Sequence, residues 1–276
     1  MKLRKETCVT INNIAVEYKV PSQRIKGQKR APKFNPTPED VRRVNDRNAE
    51  KDLARKIDNN FKPGDWHLVL TYLGAAPTQQ EAKKYLKEFH GGLRTKCKKM
   101  GTVLKTITVT EYAHNRIHHH IVCSKIALET LAELWTHGDV RPSVLKNHRN
   151  YRKLAAYLIK ETSKTCRLPG SVNKRRFNCS RTIETPEVKF EYVNSRDIED
   201  DPKPIKDYYI DQDSIRRGWH EVTGYPYLEY TMLPLLEDEP RIKKWRRGKK
   251  TTANENYNYL LRGIDTGEQL DMGFIN

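Results

Sequence analysis

The sequence predicts an α+β protein in which a mostly antiparallel sheet is packed against helices. Short β-rich runs and amphipathic segments follow one another in the order strand, helix, hairpin, helix, strand, helix. The two runs of the hairpin are neighbours in the chain, so they are expected to pair antiparallel. Hydrophobic residues make up 36% of the 276 residues, which is enough to build a core for these elements.

Each element has its own signal. WHLVLTYLG (66–74) alternates apolar side chains and ends on a glycine, which is typical of a strand. Thr78 and Glu81 form a capping box that opens an amphipathic helix, and Gly91-Gly92 is expected to weaken or bend that helix. The later elements are predicted as strands over 103–112 and 116–123, a helix over 126–135, a strand over 140–144 and a helix over 151–164.

Charge and composition narrow the class of protein. Lys and Arg number 52 against 35 Asp and Glu, a formal net charge of +17, and residues 63–185 alone carry 22 basic against 9 acidic side chains. Such a basic segment is expected to bind a polyanion, of which nucleic acid is the commonest. No run of apolar residues is long enough to span a membrane, and no secretory signal is recognised. Five scattered cysteines predict a reducing, cytoplasmic setting.

Composition also suggests three regions. Residues 1–62 are predicted to be a basic N-terminal arm and a surface helix (40–60), which together assist binding to duplex DNA. Residues 63–186 hold the motifs that carry chemistry. Residues 187–276 begin with an acidic linker (197–204) and are predicted to form a smaller C-terminal extension.

The hairpin predicts a metal site. In a strand, His118 and His120 project to one face and His119 to the other. If the turn is centred on His114-Asn115, Glu111 lies opposite His118 and on its face. Two imidazoles and a carboxylate leave open coordination positions and suit Mn²⁺, Mg²⁺ or Zn²⁺. The alternative is three polar histidines on a solvated face of the sheet.

The last predicted helix carries a tyrosine outside its apolar stripe. On a helical projection Tyr157 lies in the sector of Lys153, Lys160 and Lys164, where a phosphate or a developing phenolate would be stabilised. Tyr151 falls inside the apolar stripe instead. The alternative for Tyr157 is an amphipathic tyrosine at the edge of a helix–sheet interface, with its ring buried and its hydroxyl in water.

These residues carry a resemblance to a known superfamily. RIHHHIVC resembles the His-hydrophobe-His motif of HUH endonucleases, although histidine is not the usual residue in the middle position. LAAYLIKE resembles their tyrosine motif, with Tyr157 as the nucleophile and Lys160 as the accompanying lysine, and LVLTY resembles a first motif with a central threonine, Thr71. The arrangement is similar to single-tyrosine rolling-circle replication initiators of bacterial plasmids and phages.

The resemblance implies a fold and an activity. The fold would be a five-stranded antiparallel sheet with helices, similar to HUH endonuclease and RNA-recognition folds. The activity would be that of a nickase and strand transferase: Mn²⁺ or Mg²⁺ at His118, His120 and Glu111 orients the scissile phosphate, and Tyr157 forms a 5′-phosphotyrosine. The residue that takes the tyrosine proton is not identified.

The same resemblance implies partners and a setting. The partners would be single-stranded and duplex origin DNA, a host helicase and a DNA polymerase, in the cytoplasm of a bacterial host and without a membrane. Basic side chains near the motifs are predicted to bind the DNA: Lys153, Lys164, Arg116, Arg175, Arg176 and Arg181.

Two other functions stay open at this point. One is another HUH enzyme, either a transposase or a mobilisation relaxase, which shares all three motifs. The other is a non-catalytic basic DNA-binding protein, whose affinity for DNA would depend on salt but not on a metal. Glu111 in register with His118 favours an enzyme, since binding alone does not need that carboxylate.

Overall fold

The computed structural model describes residues 2–20, 35–113, 116–146, 149–165 and 175–235. Its four helices are α1 (Pro38–Asn60), α2 (Gln79–Lys99), α3 (Leu128–Leu134) and α4 (Arg152–Thr165). Its strands are β1 (Lys2–Val9), β2 (Ile14–Lys19), β3 (Trp66–Leu70), β4 (Thr106–Ala113), β5 (Arg116–Cys123), β6 (Val140–Val144), β7 (Asn178–Cys179), β8 (Val188–Asn194), β9 (Tyr208–Trp219) and β10 (Pro226–Pro234). Among the described helices, none is long and apolar enough to cross a membrane.

A five-stranded antiparallel sheet, here called the central sheet, has the strand order β6-β3-β5-β4-β7. The predicted α+β class, the hairpin and the helices on either side of it are confirmed. The predicted capping box is also present, since the Thr78 hydroxyl accepts from the Glu81 backbone N–H at 3.2 Å while the Glu81 carboxylate accepts from the Thr78 N–H at 2.9 Å.

Helices cover both faces of the central sheet. On one face, the apolar sides of α1 and α4 pack against Ile107, Val109 and Val122 of the hairpin strands. On the other face, α2 and α3 pack against Leu68, Leu70, Ile121 and Cys123. The alternation of side chains along β3 and β5 therefore separates two cores, and each core fixes the orientation of one pair of helices.

Helix α1 is part of the core, which corrects the prediction of a surface helix for this segment. Its residues Leu53 and Ile57, and Phe61 just after it, are fully buried against α4 and the hairpin. The apolar residues are few because the rest of the helix is solvated or contacts charged groups. The basic run at 26–30, predicted as an exposed arm, lies outside the described residues.

A second five-stranded antiparallel sheet, with the order β8-β1-β2-β10-β9, is a feature that the sequence did not predict. Strands β1 and β2 come from the segment predicted as an arm, and β8, β9 and β10 come from the predicted C-terminal extension. Their buried side chains form a separate cluster that includes Leu3, Val16, Leu228 and Met232. Residues 236–276 of the predicted extension lie outside the described part of the chain.

Ion pairs join the second sheet to α1 and α4. Glu17 of β2 accepts from Lys51 at 2.5 Å and from Arg55 at 3.3 Å. Glu229 of β10 accepts from Arg152 at 3.0 Å, at the first residue of α4. All of these side chains are at least three-quarters buried, so water screens the pairs weakly.

Glu17 makes the stability of this contact depend on pH. Burial alone would raise the pKa of Glu17, but Lys51, Lys19 and Arg55 outweigh it and lower the pKa from 4.5 to about 2. A carboxyl whose pKa is lowered by folding stabilises the fold above its unfolded pKa, and this contribution is lost as the pH falls from about 4.5 to about 2.

We expect Glu17→Gln to lower the free energy of unfolding by about 3 kcal/mol at pH 7, since it leaves the buried Lys51 with the longer, 3.9 Å contact to Glu229 and removes the partner of Arg55. The difference between variant and wild type should shrink as the pH falls from 5 towards 2, because the wild-type carboxyl then takes up a proton. Urea unfolding at several pH values measures both effects. A difference that is the same at pH 7 and pH 3 would contradict the role given to Glu17.

Two glycines, Gly92 and Gly138, lie where the backbone approaches other groups closely. Helix α2 runs through Gly91 and Gly92, so the predicted weakening does not end or break it. A Cβ at Gly92 would lie 2.6 Å from Leu134 Cδ2, which shows that this glycine lets α3 pack against α2. A Cβ at Gly138 would lie 2.3 Å from the Thr71 carbonyl oxygen and 2.8 Å from Tyr72 Cα.

We expect Gly138→Ala to destabilise the protein by about 3 kcal/mol, because the new methyl group meets backbone atoms that cannot move aside on their own. Gly91→Ala is the matched control: nothing lies within 4 Å of a Cβ there, and alanine favours the helix by about 1 kcal/mol. Thermal unfolding of the two variants should shift in opposite directions. Similar shifts for both would show that the approach at Gly138 is not tight.

Candidate active site

The hairpin has the predicted register. Glu111 lies opposite His118, and Ala113 pairs with Arg116 at its end. His114 and Asn115, between the two strands, lie outside the described residues. Because paired residues share a face, Glu111, His118 and His120 all face the side of the central sheet that α4 covers.

His120 is at the centre of this face. Its Nε2 lies 3.2 Å from Glu111 Oε2, and its Nδ1 lies 3.3 Å from His67 Nε2. The ring planes of His67 and His120 lie within 15° of each other, with their centroids 5.5 Å apart. Tyr157 of α4 presents its ring to His120 at an interplanar angle of 85° and a centroid distance of 5.6 Å. The structure thus brings the predicted tyrosine next to the predicted histidine pair.

The residue types and their positions on the sheet fit a divalent metal ion. The side chains, however, are not arranged around one point. Glu111, His118 and His120 share one face, and Glu111 and His120 are in contact. Burial lowers the pKa of His118, which favours the neutral imidazole that binds a metal. However, in the part of the chain that the structure describes, no three His, Cys, Asp or Glu side chains are grouped closely enough to hold an ion. Rotation of His118 or Glu111 is therefore needed to complete the set.

Helix α4 presents Tyr157 away from its apolar side. Ala155, Leu158 and Ile159 are buried, whereas Tyr157 remains 38% exposed. Lys153 and Lys160 on the same side of the helix are exposed, and Lys153 Nζ lies 3.7 Å from Asp213. The side chain of Lys164 lies outside the described part.

Tyr151 is a core residue, as the sequence predicted. It is 4% exposed, and its hydroxyl donates to the Lys146 carbonyl at 3.0 Å. Burial raises the pKa of this phenol to about 12. Tyr151 therefore belongs to the core between α1, α4 and the hairpin, and its hydroxyl is used in a structural hydrogen bond.

His119 points to the opposite face of the central sheet. It is 1% exposed, with Nδ1 2.9 Å from Thr110 Oγ1 and Nε2 2.8 Å from the Tyr72 hydroxyl. Burial lowers its pKa to about 3, so it is a neutral core residue in the middle position of the motif. Because His119 and His120 are both buried, the alternative of three histidines on a solvated face is wrong.

His67 and Ser143 belong to the same site, and the sequence analysis missed them. His67 Nδ1 lies 3.3 Å from Ser143 Oγ, and the Ser143 hydroxyl donates to the His67 carbonyl at 3.0 Å. Burial lowers the pKa of His67 to about 4. The alternation of WHLVL already places His67 on the face opposite Leu68 and Leu70, which was a usable signal.

Thr71, predicted at the centre of a strand, follows the end of β3 at Leu70. Its carbonyl accepts from the Trp135 indole N–H at 3.0 Å, and its hydroxyl accepts from the Asp139 N–H at 3.3 Å. These bonds tie the end of β3 to the segment before β6. Thr71 thus supports the sheet and does not contact the His120 group.

The basic residues predicted to bind DNA differ in their availability. Arg116, Arg175 and Arg181 are exposed. Arg176 is half-buried, with its guanidinium 2.5 Å from Asp46 and 3.2 Å from Ser163 Oγ. These bonds hold Arg176 between α1 and α4. Its guanidinium group therefore stabilises the fold and is less available to bind DNA than the three exposed arginines.

The fold and the site together indicate a class of protein. An α+β architecture with antiparallel sheets, with a His–His–Glu face and a tyrosine helix against it, is consistent with an HUH endonuclease-like fold. Residues 65–166 match the model of a family described as replication-associated protein ORF2. That segment runs from β3 to α4 and includes the whole His120 group. The match supports a role as a replication initiator.

No curated protein and no solved structure gives a significant match to the chain.

Proposed function

We propose that the protein initiates rolling-circle replication of a plasmid or phage by nicking one strand of origin DNA, with Tyr157 as the nucleophile. The observation that carries this proposal is the contact of Tyr157 with His120, on the face that also holds Glu111 and His118. The match of residues 65–166 to a replication-associated family supports the biological role.

Glu111, His118 and His120 are the residues that would hold Mn²⁺ or Mg²⁺. When bound, the ion would supply Lewis-acid polarisation of the scissile phosphate. Their identity suits a divalent ion, since two imidazoles and one carboxylate leave positions for phosphate oxygens. The 3.2 Å contact between His120 and Glu111 shows that two of the three side chains already meet.

The reaction proceeds through the chain's own tyrosine. The Tyr157 hydroxyl oxygen forms a bond to phosphorus, the bond from phosphorus to the 3′ oxygen breaks, and that oxygen takes up a proton to leave a free 3′-hydroxyl. The phenolic proton passes to a base that is not identified. Lys160, three residues further along α4, would stabilise the phosphate or the developing phenolate.

The energy of the broken phosphodiester is kept in the phosphotyrosine. The strand can therefore be rejoined by transfer to a 3′-hydroxyl, without a nucleotide cofactor. Arg116, Arg175, Arg181 and Lys153, whose side chains are exposed, would bind the DNA backbone. Unwinding and strand extension then fall to a host helicase and DNA polymerase.

Incubation with a labelled single-stranded origin oligonucleotide and Mn²⁺ tests the proposal. We expect a protein–DNA adduct that survives denaturation, maps to Tyr157 and needs the metal. Binding that depends on salt but gives no adduct with or without metal would indicate a non-catalytic DNA-binding protein. Replication of a plasmid carrying the origin separates an initiator from a transposase or a mobilisation relaxase.

A further inference from the structure

A line of four side chains crosses the central sheet from β6 to β4. Ser143 contacts His67, His67 contacts His120, and His120 contacts Glu111, at 3.3, 3.3 and 3.2 Å. These residues lie on four adjacent strands and on one face, because each contact joins neighbours in the sheet. The line ends at the two groups proposed to bind the metal.

Binding of a metal at His120 Nε2 requires one direction of these hydrogen bonds. The metal takes the lone pair of Nε2, so the ring proton of His120 lies on Nδ1 and is donated to His67 Nε2, 3.3 Å away. His67 then carries its own proton on Nδ1 and donates it to Ser143 Oγ at 3.3 Å, while the Ser143 hydroxyl donates to the His67 carbonyl at 3.0 Å.

The same geometry points His120 Nε2 at the carboxylate of Glu111, 3.2 Å away. His67 contacts the other ring nitrogen, so the ring of His120 is held with Nε2 towards the proposed metal position. The hydrogen-bond line is thus arranged to present Nε2 as a metal ligand.

We propose that His67 and Ser143 are positioning residues that fix the tautomer and the ring orientation of His120, so that its Nε2 faces the metal. The inference rests on the metal site of the proposed function, and it names residues outside that site. The two ring planes lie within 15° of each other with their centroids 5.5 Å apart, so the rings are nearly coplanar and the contact between Nε2 and Nδ1 lies close to both ring planes. Neither residue contacts the reacting phosphate in this assignment.

The first experiment needs no DNA and no variant. Nitrogen-15 NMR of the histidine rings in the wild-type chain loaded with Zn²⁺, a diamagnetic ion, distinguishes a protonated ring nitrogen from a nitrogen that binds the metal. We expect His120 to bind through Nε2 with its proton on Nδ1, and His67 to carry its proton on Nδ1. Binding of the metal through Nδ1 of His120, or a His120 ring that the metal leaves unchanged, would overturn the proposal.

The second experiment separates the hydrogen bond between His67 and His120 from the presence of a flat ring at position 67. His67→Phe keeps a flat ring against His120 but removes the acceptor, whereas His67→Gln keeps an acceptor for Nδ1–H. We expect His67→Phe to lose the Nδ1 preference of His120 and to weaken Mn²⁺ binding by about 10- to 100-fold, with Gln restoring part of both. Ser143→Ala, on an exposed strand, should have a smaller effect in the same direction.

His90→Phe is the matched control. His90 is a partly buried histidine that contacts Thr108 Oγ1 at 3.0 Å on the other face of the sheet, so its loss should leave Mn²⁺ affinity and the His120 spectrum unchanged. Unchanged Mn²⁺ affinity in folded His67→Phe would overturn the proposal. If wild type binds Mn²⁺ and shows the expected tautomer but forms no adduct, the nicking function fails while the positioning of His120 stands.

Discussion

Tyr157→Phe is expected to abolish both nicking and the denaturation-resistant DNA adduct, while folding and DNA affinity stay nearly unchanged. The substitution keeps the ring that contacts His120 and removes the oxygen that attacks the phosphate. A side chain 38% exposed loses little stability when only its hydroxyl is removed, about 0.5 kcal/mol or less. Gel analysis of a labelled oligonucleotide, with binding and thermal unfolding of the same preparation, measures all three quantities.

Tyr151→Phe is the control from the same region of the chain, one residue before α4. It removes the hydrogen bond to the Lys146 carbonyl, which costs about 1 kcal/mol of stability, and it should leave the adduct intact. An adduct that persists in Tyr157→Phe and maps to another tyrosine would show that the nucleophile is assigned to the wrong residue, even if the class of enzyme is right.

Glu111→Gln is expected to reduce metal-dependent nicking by at least about 10³-fold, with DNA binding retained. The amide has the shape of the carboxylate but not its charge, and it is a weak ligand for Mn²⁺ or Mg²⁺. His118→Ala and His120→Ala should have the same effect, because each removes one of the three proposed ligands. Oligonucleotide cleavage across a range of Mn²⁺ concentrations, together with the measured Mn²⁺ affinity, checks this.

His119→Ala separates a structural histidine from the proposed ligands. It leaves Thr110 and the Tyr72 hydroxyl buried without their partner, so we expect a loss of stability of about 2–4 kcal/mol. Nicking per folded molecule should nevertheless persist. An equal loss of activity per folded molecule in His119→Ala and Glu111→Gln would contradict the assignment of the metal face.

The site was predictable because its geometry is mostly local. Strand alternation separates His118 and His120 from His119, and a short hairpin fixes the position of Glu111 within a few residues of chain. The projection of α4 shows Tyr157 outside the apolar stripe without reference to any other element. The missing part, His67, is 53 residues away from His120 in the chain, and their contact depends on which strands are neighbours in the sheet.

The second sheet was not predictable by the same means. Its strand β1, KLRKETCV, carries charged side chains on both faces, so the apolar alternation that marks a half-buried strand is absent. Some of those charges pair with residues of other strands, such as Lys5 with Glu191 and Glu6 with Lys19, while Arg4 pairs with Glu6 within β1. Sparse apolar residues likewise concealed the burial of α1, since its buried hydrophobic residues are few for a helix of 23 residues: Val44, Leu53, Ala54 and Ile57.

The strand order of the second sheet also determines when each part of the protein can be completed during synthesis. The central sheet is complete once Cys179 has been made, but β2 gains its neighbour β10 only after residues 226–234. Arg152, at the start of the helix that carries Tyr157, contacts Glu229 on that late strand. A nascent or truncated chain that ends before β10 therefore contains every proposed catalytic group. It lacks the ion pair between Glu229 and Arg152 that holds the start of α4, the helix that carries Tyr157.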